Sequence, residues 1–294
     1  MHFEAAVQPV ILLGMHRSGT AMIARLLDHL GVFQGHELQE DHESVWFLQI
    51  NDLLLNRVHA YWDNPSVFRE FLNNPQAFDL TLRCLESDLS SRLTRAFLGM
   101  RRAIEFGSLA KYGRPWGWKD PRTIFTLPLW LKLFPGAKLV YIIRNGVDVA
   151  RSLQTREQRE LERRISEFDA KPSAGNRSRL QRAGFKGSAR CLTLEGGFSL
   201  WEQYVEEAER TLALASQPRH IVRYEDFLAD PSGQLPPLAR FCNVESTDGA
   251  AAAAIARVGV NPARANAFVA DAQVARFHET VRGSQWMRHY GYGG

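Results

Sequence analysis

The chain has 294 residues, 45% of them hydrophobic and 23% charged, with a formal net charge of +4. That length buries a sizeable core without staples, and the balance is that of a globular protein rather than a disordered or fibrous one. The mild basic surplus suits an anionic small ligand as well as a nucleic acid or a membrane surface.

Three cysteines, Cys84, Cys191 and Cys242, stand far apart and without metal-ligand spacing. They read as reduced core thiols of a reducing, cytoplasmic compartment. The N-terminus lacks the basic stretch, apolar run and cleavage site of a secretory signal. No apolar run approaches the ~18 residues of a membrane span. No linker rich in Pro, Gly or Ser divides the chain, so one domain, 1–294, is expected. No HExxH motif, Cys/His cluster or G-x-S-x-G elbow occurs, which leaves metal chemistry unsupported.

The organising stretch is Val10 to Leu27, VILLGMHRSGTAMIARLL. Val10 to Leu13 predict a buried parallel strand. Gly14 and Gly19 bracket a short loop containing His16, Arg17 and Ser18, and Thr20 is an acceptable N-cap for the helix that follows. Strand, glycine loop and helix in that order make an anion site, because free N–H groups and the positive end of the helix dipole converge there. The loop has the glycine spacing of a P-loop, but Thr20 stands where a nucleotide-binding loop has lysine. The cation is instead Arg17, whose planar fork matches a sulfate or phosphate face.

Gly31 predicts the end of the first helix. The polar segment Gly35 to Glu43 follows, then a helix from Val45 to Leu55. His36, Glu37, Glu40, Asp41, His42 and Glu43 are all candidates for proton transfer. Tyr61 to Pro65 reads as a turn, and Ser66 to Leu72 as a short patterned stretch. A long helical stripe is expected from about Pro75 to Lys111, through Phe78, Leu82, Leu85, Leu89, Leu93, Phe97 and Ile104.

Arg114 to Thr123, RPWGWKDPRT, is the second dense stretch. Trp116 to Trp118 predict a short buried strand, with Lys119, Asp120 and Arg122 crowding its carboxyl end. Ligands of open α/β sheets sit beyond such ends, which directs Lys119 to the same site as the glycine loop. Asp120 neutralising Lys119 or Arg122 is the plainer alternative. Leu127 to Pro135 predicts an apolar helix.

Lys138 to Leu153, KLVYIIRNGVDVARSL, repeats the strand-then-helix logic. Arg144 ends the strand and Ser152 lies two turns into the helix, where both can hold one phosphate. The arginine-rich stretch from Gln154 to Arg190 has a helix to about Phe168 and a Lys-Pro-Ser-Ala-Gly-Asn turn. Its near lack of aromatics argues against a nucleic-acid platform. Gly196 to Ala215 predicts a helix, His220 to Pro231 a strand and turn, and Pro236 to Cys242 and Ala250 to Val258 short helices.

GMHRSGT, WKDPR, IIRNGVDVARS and RYEDFLADP, in that order, resemble the sulfotransferases that use 3′-phosphoadenosine 5′-phosphosulfate (PAPS). The resemblance runs from Val10 to about Phe241 and is closest to bacterial members and the tyrosylprotein sulfotransferases. It implies a P-loop-like three-layer α/β fold with a central parallel sheet flanked by helices. It also implies a sulfuryl transfer that needs no metal and leaves 3′,5′-ADP. By resemblance, His16, Arg17, Ser18, Gly19 and Thr20 hold the 5′-phosphosulfate, and Arg144 and Ser152 the 3′-phosphate. Lys119 stabilises the transferring group, and Glu43 matches the family's base.

The chain departs from the family at Asn145-Gly146-Val147, where Asp-Pro-Arg or Asp-Gly-Arg is common. It also lacks a clear form of the glycine- and lysine-rich motif near the C-terminus. The implied acceptor is a small molecule, glycan, lipid or peptide, with no nucleic acid and no membrane span. A metabolite kinase and a non-catalytic nucleotide- or glycan-binding module are the rival readings.

Overall fold

A computed structural model describes residues 4–170 and 184–294. The Lys-Pro-Ser-Ala-Gly-Asn turn lies outside the described residues. In chain order the structure gives β1 (Val10–Leu13), α1 (Thr20–His29), α2 (Val45–Asn56), α3 (Val67–Leu72), α4 (Pro75–Ser90) and α5 (Arg95–Phe106). Then come β2 (Gly117–Lys119), α6 (Thr123–Leu133), β3 (Lys138–Ile143), α7 (Gly146–Ala170) and α8 (Leu194–Leu214). The chain continues through β4 (Arg219–Arg223), α9 (Tyr224–Ala229), α10 (Pro231–Phe241), α11 (Asp248–Val258), α12 (Ala272–Val281) and α13 (Gln285–His289). The described residues fall into two compact units, one built from the chain up to Arg144 with Tyr204–Ala265, the other from Asn145–Gln203 with Asn266–Gly294.

The first unit holds a parallel sheet in the order β2-β1-β3-β4. Parallel strands need crossover helices, so both faces are covered. Val10, Leu12, Val140 and Ile142 pack with Ile23, Leu26 and Leu27 of α1, Leu235 and Leu238 of α10, and Ala251 and Ala254 of α11. Trp118 is in register with Ile11, so it points to the other face. There its ring stacks on Phe47 of α2 at 3.9 Å and 4°, with Trp130 of α6 edge-on to it at 5.3 Å. Helices, sheet and helices make three layers.

In the second unit, Asn145 Oδ1 accepts from Val147 N at 2.9 Å and so caps α7. A Cβ on Gly146 would meet the Trp201 ring at 2.6 Å, which explains a glycine at this point. The buried Asp148 carboxylate accepts from the backbone N–H groups of Ala267 and Phe268, tying the C-terminal segment to α7.

Three expectations are corrected. The stripe from Pro75 to Lys111 is not one helix: α4 stops at Ser90, and Ser91 turns to extended backbone with its hydroxyl accepting from Leu93 N. The apolar face fails with it, since Leu93 and Ile104 are exposed. Thr20 is not the N-cap; Gly19 takes that place in left-handed conformation, and Thr20 is the buried first residue of α1. After β4 the chain does not turn but forms α9, with Glu225 and Asp226 in its first turn, where carboxylates suit the dipole.

Candidate active site

The site is assembled at the carboxyl ends of β1, β2 and β3. The chain runs from β1 to β2 on one side and returns to place β3 on the other, so β1 and β3 flank a topological switch point. Open sheets bind ligands there.

The loop after β1 is shaped by close approach. Gly14 has φ +152°, and a Cβ would meet Thr20 Cγ2 at 2.6 Å and the Ile142 carbonyl at 2.7 Å. Gly19 has φ +89°, and a Cβ there would lie 2.3 Å from the Tyr224 ring. Arg17 itself sits at φ 69°, an uncommon conformation for a non-glycine residue, and is exposed. Ser18 is buried, and its hydroxyl has no hydrogen-bond partner among the described residues. A buried hydroxyl of that kind is costly unless a ligand or water completes it. The His16 ring packs edge-on against Trp62 at 5.0 Å and Tyr204 at 6.2 Å.

Arg144 leaves the end of β3 and reaches this loop. Its Nη1 donates to the Arg17 carbonyl at 3.1 Å, and its Nη2 to the Arg264 carbonyl at 3.0 Å. Its guanidinium lies over the Tyr224 ring, 4.7 Å from the centroid. Tyr224 therefore supports both Gly19 and Arg144. Arg144, from the end of β3, thus reaches the backbone of the loop that carries Arg17. Ser152 belongs to α7, in the second unit.

A buried polar network continues from β2. Lys119 is in register with Leu12, two residues before Gly14. Its Nζ donates to Glu43 Oε1 at 3.1 Å, and both side chains are almost fully buried. Arg122 Nη1 lies 3.6 Å from Glu43 Oε2 and donates to Asp120 Oδ1 at 2.9 Å. Arg122 Nε also lies 3.4 Å from Asp52 Oδ1. Asp120 Oδ2 accepts from Asn51 Nδ2 at 2.8 Å, and Asn51 Oδ1 accepts from Thr126 and Trp130. Of the two alternatives for Asp120, it neutralises Arg122; Lys119 is paired with Glu43.

Burial is the largest single influence on Lys119, Asp120 and Arg122. It pulls the Lys119 ammonium below its ordinary value, against the opposing carboxylates of Glu43, Asp41 and Asp120. It pushes the Asp120 carboxyl up, with Arg122 acting the other way. Burial also works against the Arg122 guanidinium, but Asp120 and Glu43 outweigh it and hold the charge more firmly still.

Of the six proton-transfer candidates, Glu43 alone lies between two cations in this network, immediately before Ser44, the N-cap of α2. His42 instead faces Asp28 of α1 at 3.2 Å. Asn51, Arg122 as a partner of Glu43, and Tyr224 were not singled out by sequence. Asn51 looks like any polar residue in an apolar helix; its partners lie 69 to 79 residues downstream.

Among the described residues, no cluster of His, Cys, Asp and Glu could hold a metal ion, and no helix is long and apolar enough to cross a membrane.

The model of the sulfotransferase family matches residues 9–248. The chain belongs to the sulfotransferase family, and its chemistry is the transfer of a sulfuryl group. Among solved structures it is similar to the sulfotransferase domain of the curacin biosynthetic pathway, at 16% identity over 84% of this chain and 76% of that one, with a TM-score of 0.45. A sulfotransferase from Mycobacterium tuberculosis shares 18% identity over 87% of this chain and 74% of its own, at a TM-score of 0.44. One from Alicyclobacillus acidocaldarius shares 15% over 92% and 99%, also at 0.44. These overlaps are loose, and membership rests on the family match. A search of curated proteins gave no match.

Proposed function

We propose that the protein moves the sulfuryl group of PAPS to an acceptor hydroxyl or amine, with Glu43 as base. The observation that carries this reading is the hydrogen bond from Arg144 to the Arg17 carbonyl, which joins two cationic βα turns at the switch point of the sheet. A donor phosphorylated at both ends of its ribose needs two anion sites in register, and a single glycine loop supplies one.

The residues present suit that donor. The backbone of the glycine loop, Arg17, the unpartnered Ser18 hydroxyl and the N-terminus of α1 receive the 5′-phosphosulfate. Arg144, stacked on Tyr224, receives the 3′-phosphate, and the family resemblance adds Ser152. The absence of a P-loop lysine disfavours a metabolite kinase.

The chemistry follows from the charges. Glu43 accepts the acceptor's proton as the acceptor oxygen or nitrogen bonds to sulfur. The bond from sulfur to the bridging phosphate oxygen breaks, and its electron pair stays on that oxygen, giving 3′,5′-ADP. Arg17 and Lys119 meet the charge that builds on the bridging and sulfuryl oxygens. Fixed cations of this kind supply ~3 kcal/mol each, by comparison with loss of one oxyanion donor.

Calorimetry with 3′,5′-ADP and with ATP tests the donor. A clear preference for 3′,5′-ADP is expected; preference for ATP would overturn the reading. A screen of alcohols, sugars, phenols, lipids and peptides with labelled PAPS then finds the acceptor. Binding of 3′,5′-ADP with no transfer to any acceptor would point to a binding module.

A further inference from the structure

We propose that Arg122 is a positioning residue for Glu43, holding its carboxylate in place while Lys119 changes partner from Glu43 to the transferring group. The inference rests on Glu43 being the base. In the structure one carboxylate oxygen, Oε1, is occupied by Lys119 at 3.1 Å, while Oε2 faces Arg122 at 3.6 Å. An ammonium group bonded to Oε1 takes one of its lone pairs and lowers the proton affinity of the carboxylate, which makes it a poorer base. Yet Lys119 is the cation proposed for the sulfuryl oxygens. Both requirements are met by one exchange. When the donor's sulfuryl group draws Lys119 Nζ away, the Oε1 lone pair is released to the acceptor's proton.

That exchange strips Glu43 of its hydrogen-bonded cation, and a buried carboxylate without a partner swings or takes up a proton. Arg122 prevents both. It does not depend on Lys119, because its own anchor is Asp120, which is fixed by Asn51, itself hydrogen-bonded to Thr126 and Trp130. The chain Trp130–Asn51–Asp120–Arg122 thus transmits the rigidity of α6 to the carboxylate on the far side of Lys119. Donor binding becomes a precondition for a competent base, which predicts an order of addition with the donor first.

The test compares Arg122→Ala, Arg122→Lys and Glu43→Gln in the full chain, using 3′,5′-ADP calorimetry and steady-state rates with the acceptor found by the PAPS screen. Arg122→Ala should lower kcat ~100-fold, the low end of a general base's contribution. Its 3′,5′-ADP affinity should stay within ~2-fold, by the near-additivity of sites that share no partner. The acid limb of its kcat/KM profile should move to higher pH, because loss of a nearby cation favours the protonated carboxyl. Added guanidinium should restore part of the rate, and Arg122→Lys should keep more of it than Arg122→Ala.

Removal of Arg122 also leaves Asp120 buried without its cation, so the double variant Arg122→Ala/Asp120→Asn serves if the single one does not fold; its acid limb should move in the same direction but less far, because loss of the Asp120 charge favours the carboxylate. A wild-type rate or an unmoved limb in the folded variants, with Glu43→Gln inactive, overturns this proposal alone. A wild-type rate in Glu43→Gln removes the base and this inference with it.

Discussion

The cradle around the glycine loop and the network around Lys119 lie on neighbouring strand ends but are built on opposite principles. The cradle is made of backbone and cations. Arg17 is exposed, Arg144 rests on a tyrosine face and donates to two carbonyls, and the loop is bent by glycines that tolerate no Cβ. The network is buried and charge-balanced, with every cation set against a carboxylate and every carboxylate held by a donor. The contrast suits two tasks. A ligand with two phosphate groups needs an open site whose positive potential it completes on arrival. Proton transfer needs a dry site in which charges do not relax, because low dielectric strengthens every interaction within it. Variants should therefore separate cleanly: damage to the cradle should show as lost affinity, and damage to the network as lost turnover.

The largest expected effect is Glu43→Gln. Removing a general base costs ~10²- to 10⁴-fold in kcat, while 3′,5′-ADP affinity stays near that of the wild type. Equal loss of affinity and turnover would break the contrast, since the two regions would then be one energetic unit. Turnover that survives would move the base to His36, Glu37, Glu40, Asp41 or His42.

Phe47→Ala comes next. The ring lies 3.9 Å from Trp118 in a parallel stack, and truncating a buried Phe costs ~3–5 kcal/mol of stability. Because α2 begins directly after the Glu43 segment, the loss should also loosen the network. Denaturant unfolding measures the first effect. A drop in kcat per folded molecule, with 3′,5′-ADP affinity unchanged, measures the second.

Much of this was legible from the chain. Val10 to Leu13, Trp116 to Trp118 and Leu139 to Ile143 read as strands because parallel strands buried on both faces are continuous apolar runs. Lys119 and Arg144 read as site residues because each sits where such a strand ends, and Arg17 because it is the cation of the glycine loop. What stayed hidden was non-local. The residues that hold Asn51 lie far along the chain, so nothing in the composition of α2 marks its amide as an anchor. Tyr224 looks like a residue of a turn until Gly19 and Arg144 are seen against its ring. The break at Ser91 is set by a hydroxyl cap on Leu93, which outweighs an apolar spacing that continues on paper. At the departure from the family pattern, the Asn145 side chain caps α7.

On the cradle side, Arg144→Ala should cost ~1.5–3 kcal/mol in 3′,5′-ADP affinity, the worth of a hydrogen bond to a charged group. The loss for 5′-AMP, which lacks the 3′-phosphate, should be much smaller. Calorimetry with the two nucleotides gives the difference directly. Equal losses would mean that Arg144 only braces the glycine loop through the Arg17 carbonyl.

The smallest effect sharpens the contrast through pH. Burial lowers the pKa of Lys119 below that of an unfolded lysine, so between the two values the unfolded chain binds the extra proton. By linkage, stability from this group rises with pH through that window, while activity falls as the ammonium is lost. The alkaline limb of kcat/KM should therefore run opposite to the contribution of Lys119 to stability. Lys119→Arg removes the titration, since a guanidinium keeps its proton, and should carry the limb to higher pH at some cost in rate from the altered geometry. The same variant should change 3′,5′-ADP affinity far less than turnover, because that ligand keeps the former bridging oxygen but lacks the sulfuryl oxygens that Lys119 is also proposed to meet. A limb that stays in place would assign the alkaline loss to another group and leave Lys119 as a structural partner of Glu43.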